Sequence, residues 1–223
     1  LRASAMLAYE VLSSHVQQCW VRDLHEEGIE PHPGPRYITK NVNGISDLKI
    51  WERILFNIRN EHSRSPIGAI FLQEIRIGNA RKHKDMALEH GIYMIAHINT
   101  FNHQTGGTAI LIPRDSLERT KSESHHQAWD RVLRTVRCLP RGRGIACDTL
   151  LEGHATRLAS VYAPANPDER PGFFQNLNKK GHRFINKHTI LGIDANCVPD
   201  VSLDRQSNAV SPYNNTGADT LNH

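Results

Sequence analysis

The sequence is poor in cysteine, has no long apolar run, and carries little excess charge of either sign. Its four cysteines, Cys19, Cys138, Cys147 and Cys197, are scattered, with no C-x-x-C pair among them. This excludes the ligand spacing of a structural zinc site and the dense framework of a small disulfide-stapled protein. It fits reduced thiols in an intracellular protein. Hydrophobic residues make up 39% of the 223, enough for a core. Yet no stretch approaches the roughly 20 apolar residues of a membrane helix, so no membrane partner is expected. The chain does not open with a signal-peptide pattern. The 14 histidines show no H-E-x-x-H or comparable spacing and read mostly as surface residues. A net charge of +4 permits a polyanionic partner without requiring one.

The length suits one large domain, or a domain with an appendage. The chain begins with Leu1 rather than Met, which points to a fragment or a processed product. Over residues 1–27, Leu7, Val11, Leu12, Val16, Trp20 and Leu24 recur at helical spacing. A helical extension is expected there, packing little against the rest. Residues 28–35 hold three prolines and two glycines, which end any helix and mark a boundary. The main domain is placed at 36–223.

Within it, short apolar runs alternate with amphipathic stretches. Strands are expected at 37–42, 67–72, 92–98, 108–112, 132–139, 145–151, 158–162 and 189–193. Helices are expected from Ser46 or Asp47 to Ile58, from Ala80 to a stop at Gly91, and over most of 168–186. Helices falling between more numerous strands predict an α/β sandwich, two sheets faced by helices.

Three polar clusters follow strands. They are Asn41-Val42-Asn43-Gly44, the Gln73-Glu74 pair closing a buried run, and Asp194-Ala195-Asn196 after another buried run. Residues two apart in a strand share a side, so Asp194 and Asn196 can face one site. Oxygen donors of this kind suit Mg²⁺, which keeps most of its water and needs one or two carboxylates. Each acid taken alone reads as readily as a turn or cap residue. Their order along the chain carries the argument.

That order resembles the endonuclease/exonuclease/phosphatase superfamily, of DNase-like and apurinic/apyrimidinic-endonuclease-like type. Asn41-Val42-Asn43-Gly44 resembles its opening N-V-N/D-G element, and Leu72-Gln73-Glu74 its L-Q-E. Gly106-Gly107-Thr108-Ala109-Ile110-Leu111 resembles its G-G-x-A-I-L strand, and Val161-Tyr162-Ala163-Pro164 its V-Y-A-P. Gly192 to Asn196, followed by Cys197-Val198-Pro199-Asp200, resembles the G-D-F-N-C-V-x-D form of non-LTR retrotransposon endonucleases. The resemblance implies a four-layer α/β sandwich and Mg²⁺-dependent phosphodiester hydrolysis, with Mn²⁺ as substitute. It also implies a DNA partner nicked for retrotransposition, a linked reverse transcriptase, and a nuclear location by analogy. Glu74 would be the main metal ligand, with Asn41 and Asn43 beside it. Tyr162 would touch the scissile phosphate. Asp194 would orient and deprotonate the attacking water, and Asn196 would donate to the phosphate. All should meet in one cleft.

The chain departs from the pattern in two places. Ala165 stands after the Y-A-P proline where relatives carry Asn. The closing S-D-H element is matched neither by Gly217-Ala218-Asp219 nor by Leu221-Asn222-His223. The resemblance therefore implies that the last strands and their histidine follow His223. This leaves two alternatives to a nicking enzyme: an inactive retroelement fragment, or a phosphatase of the same superfamily.

Two further segments carry readings of their own. Gly28 to Pro35 resembles the D-x-E-x-N-P-G-P ribosome-skipping signature, with Gly28 and His32 as departures that favour the plainer reading, a rigid linker. Arg131, Arg134, Arg137, Arg141 and Arg143 fall within thirteen positions. They form either a grip on DNA phosphates or a solvated hairpin tip.

Overall fold

Two four-stranded sheets stack face to face, and helices cover their outer faces. The computed structural model describes residues 34–196, apart from residues 152 and 180. The N-terminal helix, most of the proline-rich junction and the Cys197–Asp200 stretch lie outside the described residues. The first sheet holds β1 (Arg36–Asn41), β2 (Ile67–Gln73), β3 (Ile92–His97) and β4 (Thr108–Pro113), in the order β1-β2-β4-β3. The second holds β5 (Arg137–Leu139), β6 (Gly144–Leu151), β7 (His154–Tyr162) and β8 (Thr189–Asp194), in sequence order. β1 runs parallel to β2, and β7 parallel to β8; the remaining neighbours are antiparallel.

The layers follow from side-chain alternation. In β2, Ile70 and Leu72 face outward toward α1 (Leu48–Arg64) and α2 (Arg81–Glu89), where Trp51, Leu55, Ile58 and Ala87 are buried. Ala69 and Phe71 face inward and meet Ile145, Cys147 and Leu158 of the second sheet. That sheet turns Ala146, Ala159, Val161 and Ile193 outward onto Phe174 and Leu177 of α4 (Arg170–Lys179) and Phe184 of α5 (Gly181–Phe184). The result is helix, sheet, sheet, helix. Each fully buried large side chain contributes about 1.5–3 kcal/mol, so three apolar layers hold the sheets in place.

Several element boundaries differ from the sequence reading. α1 continues past Ile58 to Arg64, because nothing in Arg59–Arg64 breaks a helix and Asp47 caps its start at Lys49 N, 2.8 Å away. The strand expected over 132–139 is mostly not a strand. A helix, α3 (His125–Leu133), occupies its first part, and only Arg137–Leu139 pairs as β5. A capping box starts α3: Ser124 Oγ accepts from Gln127 N, and Gln127 Oε1 accepts from Ser124 N. Ala128 and Val132 then bury between the sheets, and Trp129 stacks on Tyr93 at 4.5 Å. β7 begins four residues earlier than expected, since polar His154 to Arg157 complete the hairpin with β6. The histidines are not all on the surface. His83 is buried, its Nε2 2.7 Å from Ile45 O.

The close approach of the two sheets is set at Gly192. A Cβ built there would lie 2.3 Å from Phe71 Cβ, whose root is fixed to the backbone of β2. Gly192→Ala should therefore force β2 and β8 apart. An overpacked core of this kind costs on the order of 1–3 kcal/mol, and urea denaturation should show the midpoint lowered accordingly. An unchanged midpoint would contradict the sheet contact described.

Candidate active site

β1 and β2 of one sheet lie against β7 and β8 of the other. Contacts from Asn41 to Asp194 and from Tyr162 to Glu74 bring the C-terminal ends of all four strands to one end of the sandwich. Gln73 locks them together. This side chain is only 1% exposed, so its amide must find partners inside the protein. Its Oε1 accepts from Thr39 Oγ1 at 3.3 Å, within its own sheet. Its Nε2 donates across the interface to Ser160 Oγ at 3.1 Å and Gly192 O at 3.4 Å. Ser160 Oγ donates back to Leu72 O at 3.0 Å.

Immediately beyond this lock the candidate residues converge. Asn41 ends β1, and its Nδ2 donates to Asp194 Oδ2 at 2.7 Å. Tyr162 and Asp194 are register partners at the ends of β7 and β8, and the Tyr162 hydroxyl donates to Glu74 Oε1. Asn196 N donates to Asp194 Oδ1 at 3.1 Å, and Asn196 Nδ2 to Ala163 O at 2.8 Å. Thus Asn41 and Glu74 from one sheet meet Tyr162, Asp194 and Asn196 from the other. Asn43 stands at the rim: its backbone N–H donates to Asn41 Oδ1 at 2.9 Å, and its side chain is exposed.

The backbone is strained at this place. Asn43, Glu74, Arg76, Arg141 and Asn196 all take positive φ, between 46° and 59°. These five are the positive-φ non-glycine residues among those described, and they gather around one cleft. Such conformations cost on the order of 1–3 kcal/mol each and persist where surrounding structure enforces them, most often at functional sites.

Two side chains that the motifs do not mark complete the electrostatics. Arg76 pairs its guanidinium with Glu74 Oε2. Arg143 lies over the Tyr162 ring, with Cζ 4.9 Å from the centroid, and donates to Ala163 O at 3.2 Å. Burial pushes the Glu74 carboxyl up, but the hydrogen bond from Tyr162, the Asn41 amide and the Arg76 charge outweigh it and hold it below the usual carboxylate range. Burial and the bond to Glu74 push the Tyr162 phenol up to about 12. Tyr162 therefore remains a hydrogen-bond donor, and Glu74 remains an anion, through neutral and mildly alkaline pH. Arg170, buried, holds the turn after Tyr162 by donating to Pro164 O at 3.1 Å and Ala165 O at 2.8 Å.

The arginines of the basic segment are dispersed. Arg131 pairs with Glu123 at 3.0 Å, and Arg137 with Asp148 at 3.0 Å. Arg143 flanks the cleft, and Arg134 and Arg141 are exposed. The Arg141–Gly142 turn adjoins the cleft, since a Cβ on Gly142 would lie 3.0 Å from Gly107 and one on Gly106 would meet Tyr162 at 4.0 Å.

The donor set fits a hard divalent cation. Glu74 and Asp194 offer carboxylate oxygens and Asn41 an amide oxygen, with no nitrogen or sulfur ligand between them. Among the described residues no group of three or more His, Cys, Asp or Glu gathers to hold a metal. A cation with this donor set keeps most of its water, as Mg²⁺ does.

No family model matches the chain, and no curated protein matches it. Solved structures similar to it include the endonuclease domain of TRAS1, a telomere-specific non-LTR retrotransposon. That match has 13% identity and a TM-score of 0.49, and covers 84% of this chain and 69% of that one. An AP endonuclease from Archaeoglobus fulgidus is similar at 15% identity and a TM-score of 0.49, over 73% of this chain and 57% of that one. The human Nocturnin catalytic domain, with bound sulfate, is similar at 16% identity and a TM-score of 0.48, over 77% and 68%.

Proposed function

We propose that this chain is the catalytic part of a divalent-metal-dependent phosphodiesterase of the endonuclease/exonuclease/phosphatase superfamily, acting on DNA as the nicking domain of a retroelement. The observation that carries this reading is the meeting of Asn41 and Glu74 with Tyr162, Asp194 and Asn196 at one end of the sandwich. Four of the five sequence elements in superfamily order supply those residues. The retroelement role, the linked reverse transcriptase and the nuclear location are supported by the Gly192–Asp200 resemblance and by the junction at 28–35. DNA is favoured over a small phosphoester by the retrotransposon-like Cys197–Asp200 sequence, by the junction at 28–35 and by exposed Arg141 beside the cleft.

Glu74 and Asn41 would hold Mg²⁺ or Mn²⁺, which when bound supplies Lewis-acid polarisation of the phosphodiester and charge stabilisation at its leaving oxygen. Asp194 orients a water and takes its proton; both carboxylate oxygens are fixed by Asn41 and Asn196. Asn196 spends one amide N–H on Ala163 O. Its second is the donor assigned to the phosphate, where charge accumulates as the water attacks. Tyr162 supplies a hydroxyl that stays protonated, and Arg143 over its ring keeps the cleft attractive to an anion.

The test is nicking of supercoiled plasmid by the purified protein with Mg²⁺. Asp194→Asn should lower the rate by roughly a hundredfold or more, the usual scale for a lost general base. Full activity in that variant, or cleavage indifferent to chelation, would overturn the reading. Intact plasmid alongside hydrolysis of a small phosphomonoester would favour the phosphatase alternative.

Glu74→Gln and Tyr162→Phe should separate in a metal titration. Removing the Glu74 charge should raise the Mg²⁺ concentration needed for half-maximal rate. Tyr162→Phe should lower the maximal rate by about tenfold or more, as lost transition-state donors do, while shifting that concentration less. A Tyr162→Phe enzyme as fast as the parent would remove this residue from the chemistry.

A further inference from the structure

This inference rests on the metal reading above and concerns what already occupies its main ligand. We propose that Arg76 is a resident counter-cation of Glu74 which a divalent ion has to displace, so that the chain's own arginine sets its metal affinity.

The local backbone makes this contact. Glu74 and Arg76 both adopt left-handed φ, 54° and 46°. The turn is tied at three points: Gly44 N to Glu74 O at 2.7 Å, Ile75 N to Gly107 O at 3.2 Å and Arg76 N to Gly106 O at 3.1 Å. The Arg76 stem runs over Gly44, where a Cβ would lie 3.7 Å from Arg76 Cβ and Cδ. The guanidinium is thereby turned back onto Glu74 Oε2, while Tyr162 occupies Oε1. Both oxygens of the carboxylate are thus engaged by the chain's own donors, and an incoming cation needs at least one of them.

Charge makes the competition direct. Glu74 and Asp194 stand against Arg76 and Arg143, with exposed Arg141 beside them, so the carboxylate charge is already balanced before any ion enters. A divalent ion beside Glu74 would face the Arg76 charge at close range, where like charges repel strongly. Arg76 can yield. Its side chain is 37% exposed, so a path to solvent is open. Its Nε is buried without a hydrogen-bond partner among the described residues, so the docked position does not satisfy it fully. Tyr162, by contrast, is anchored at the end of β7.

The experiment is Mn²⁺ binding to the purified protein, followed by the loss of free-ion electron paramagnetic resonance signal, without any turnover. Arg76→Met, which keeps the stem over Gly44 and removes the charge, should bind Mn²⁺ roughly tenfold or more tightly than the parent, as expected when a close like charge is removed. Arg76→Gln should change affinity in the same direction, so the test survives if one variant folds poorly. Arg76→Lys, which retains the charge, should stay near the parent value. Glu74→Gln should abolish the gain when combined with Arg76→Met. Neutral variants that bind no tighter than the parent would overturn the inference, as would Arg76→Lys tightening as much as Arg76→Met. If Glu74→Gln alone weakens binding while the neutral Arg76 variants change nothing, the metal reading stands and this inference falls. If neither the parent nor Arg76→Met binds Mn²⁺, both fall.

Discussion

The buried amide of Gln73 is the constraint on which the site depends. Two sheets packed only through apolar side chains can slide by small steps at little cost. A buried amide with partners on both sheets cannot, because moving it strands polar groups away from water. Gln73 is bonded to Thr39 in its own sheet and to Ser160 and Gly192 in the other. One residue later the chain turns into positive φ at Glu74. The register lock and the carboxylate are therefore adjacent in sequence. Whatever holds Gln73 also fixes the distance from Glu74 to Tyr162 and from Asn41 to Asp194. Gly192 serves the same end, since only a residue without Cβ lets β8 approach Phe71 so closely.

Around this fixed point the polar groups support one another. Asn41 is a cross-sheet bridge, since its amide donates from the end of β1 to Asp194 at the end of β8. Its own oxygen is engaged by Asn43 N, so the side chain is oriented before any ligand arrives. Glu74 carries donors on both oxygens, from Tyr162 and Arg76, which help keep it ionised despite burial. The strained backbone at Asn43, Glu74, Arg76, Arg141 and Asn196 fits this picture. At Glu74 and Arg76 the turn is held by bonds to the neighbouring loops, at Gly44, Gly106 and Gly107, while Asn43 and Asn196 are of a residue type that enters this region readily.

Much of this was legible in the sequence, and the reasons are physical. β2, β4 and β8 are short apolar runs, and buried strands advertise themselves that way. Asn41, Glu74, Tyr162 and Asp194 stand at strand ends, where alternation and order along the chain give their place away. α3 was not legible. Its Val132 and the following Thr135 and Val136 carry β-branched side chains that suit a strand, while the helix owes its existence to the Ser124–Gln127 capping box and to Trp129 stacking on Tyr93. Arg76 was not legible as a site residue either, and Arg143 was legible only as one of a basic run, not as a partner of Tyr162. An arginine two places after Glu74 would face the same side in a strand; what brings it onto the carboxylate is a pair of left-handed turns that no spacing rule anticipates. Arg143 sits in a basic segment that reads as one patch, yet Arg131 and Arg137 are drawn to Glu123 and Asp148, and Arg143 alone reaches Tyr162. Gln73 could be noticed in L-Q-E, but its partners Ser160 and Gly192 lie 87 and 119 residues away.

The central claim is that side chains from two different sheets build one cation site for phosphodiester hydrolysis. Anomalous diffraction from crystals equilibrated with Mn²⁺ tests it most directly. The account predicts a single strong peak in the cleft, bonded to a Glu74 oxygen, with Asn41 and Asp194 close around it. A peak elsewhere on the molecule, or an empty cleft at a concentration where Mn²⁺ binds in solution, would contradict it.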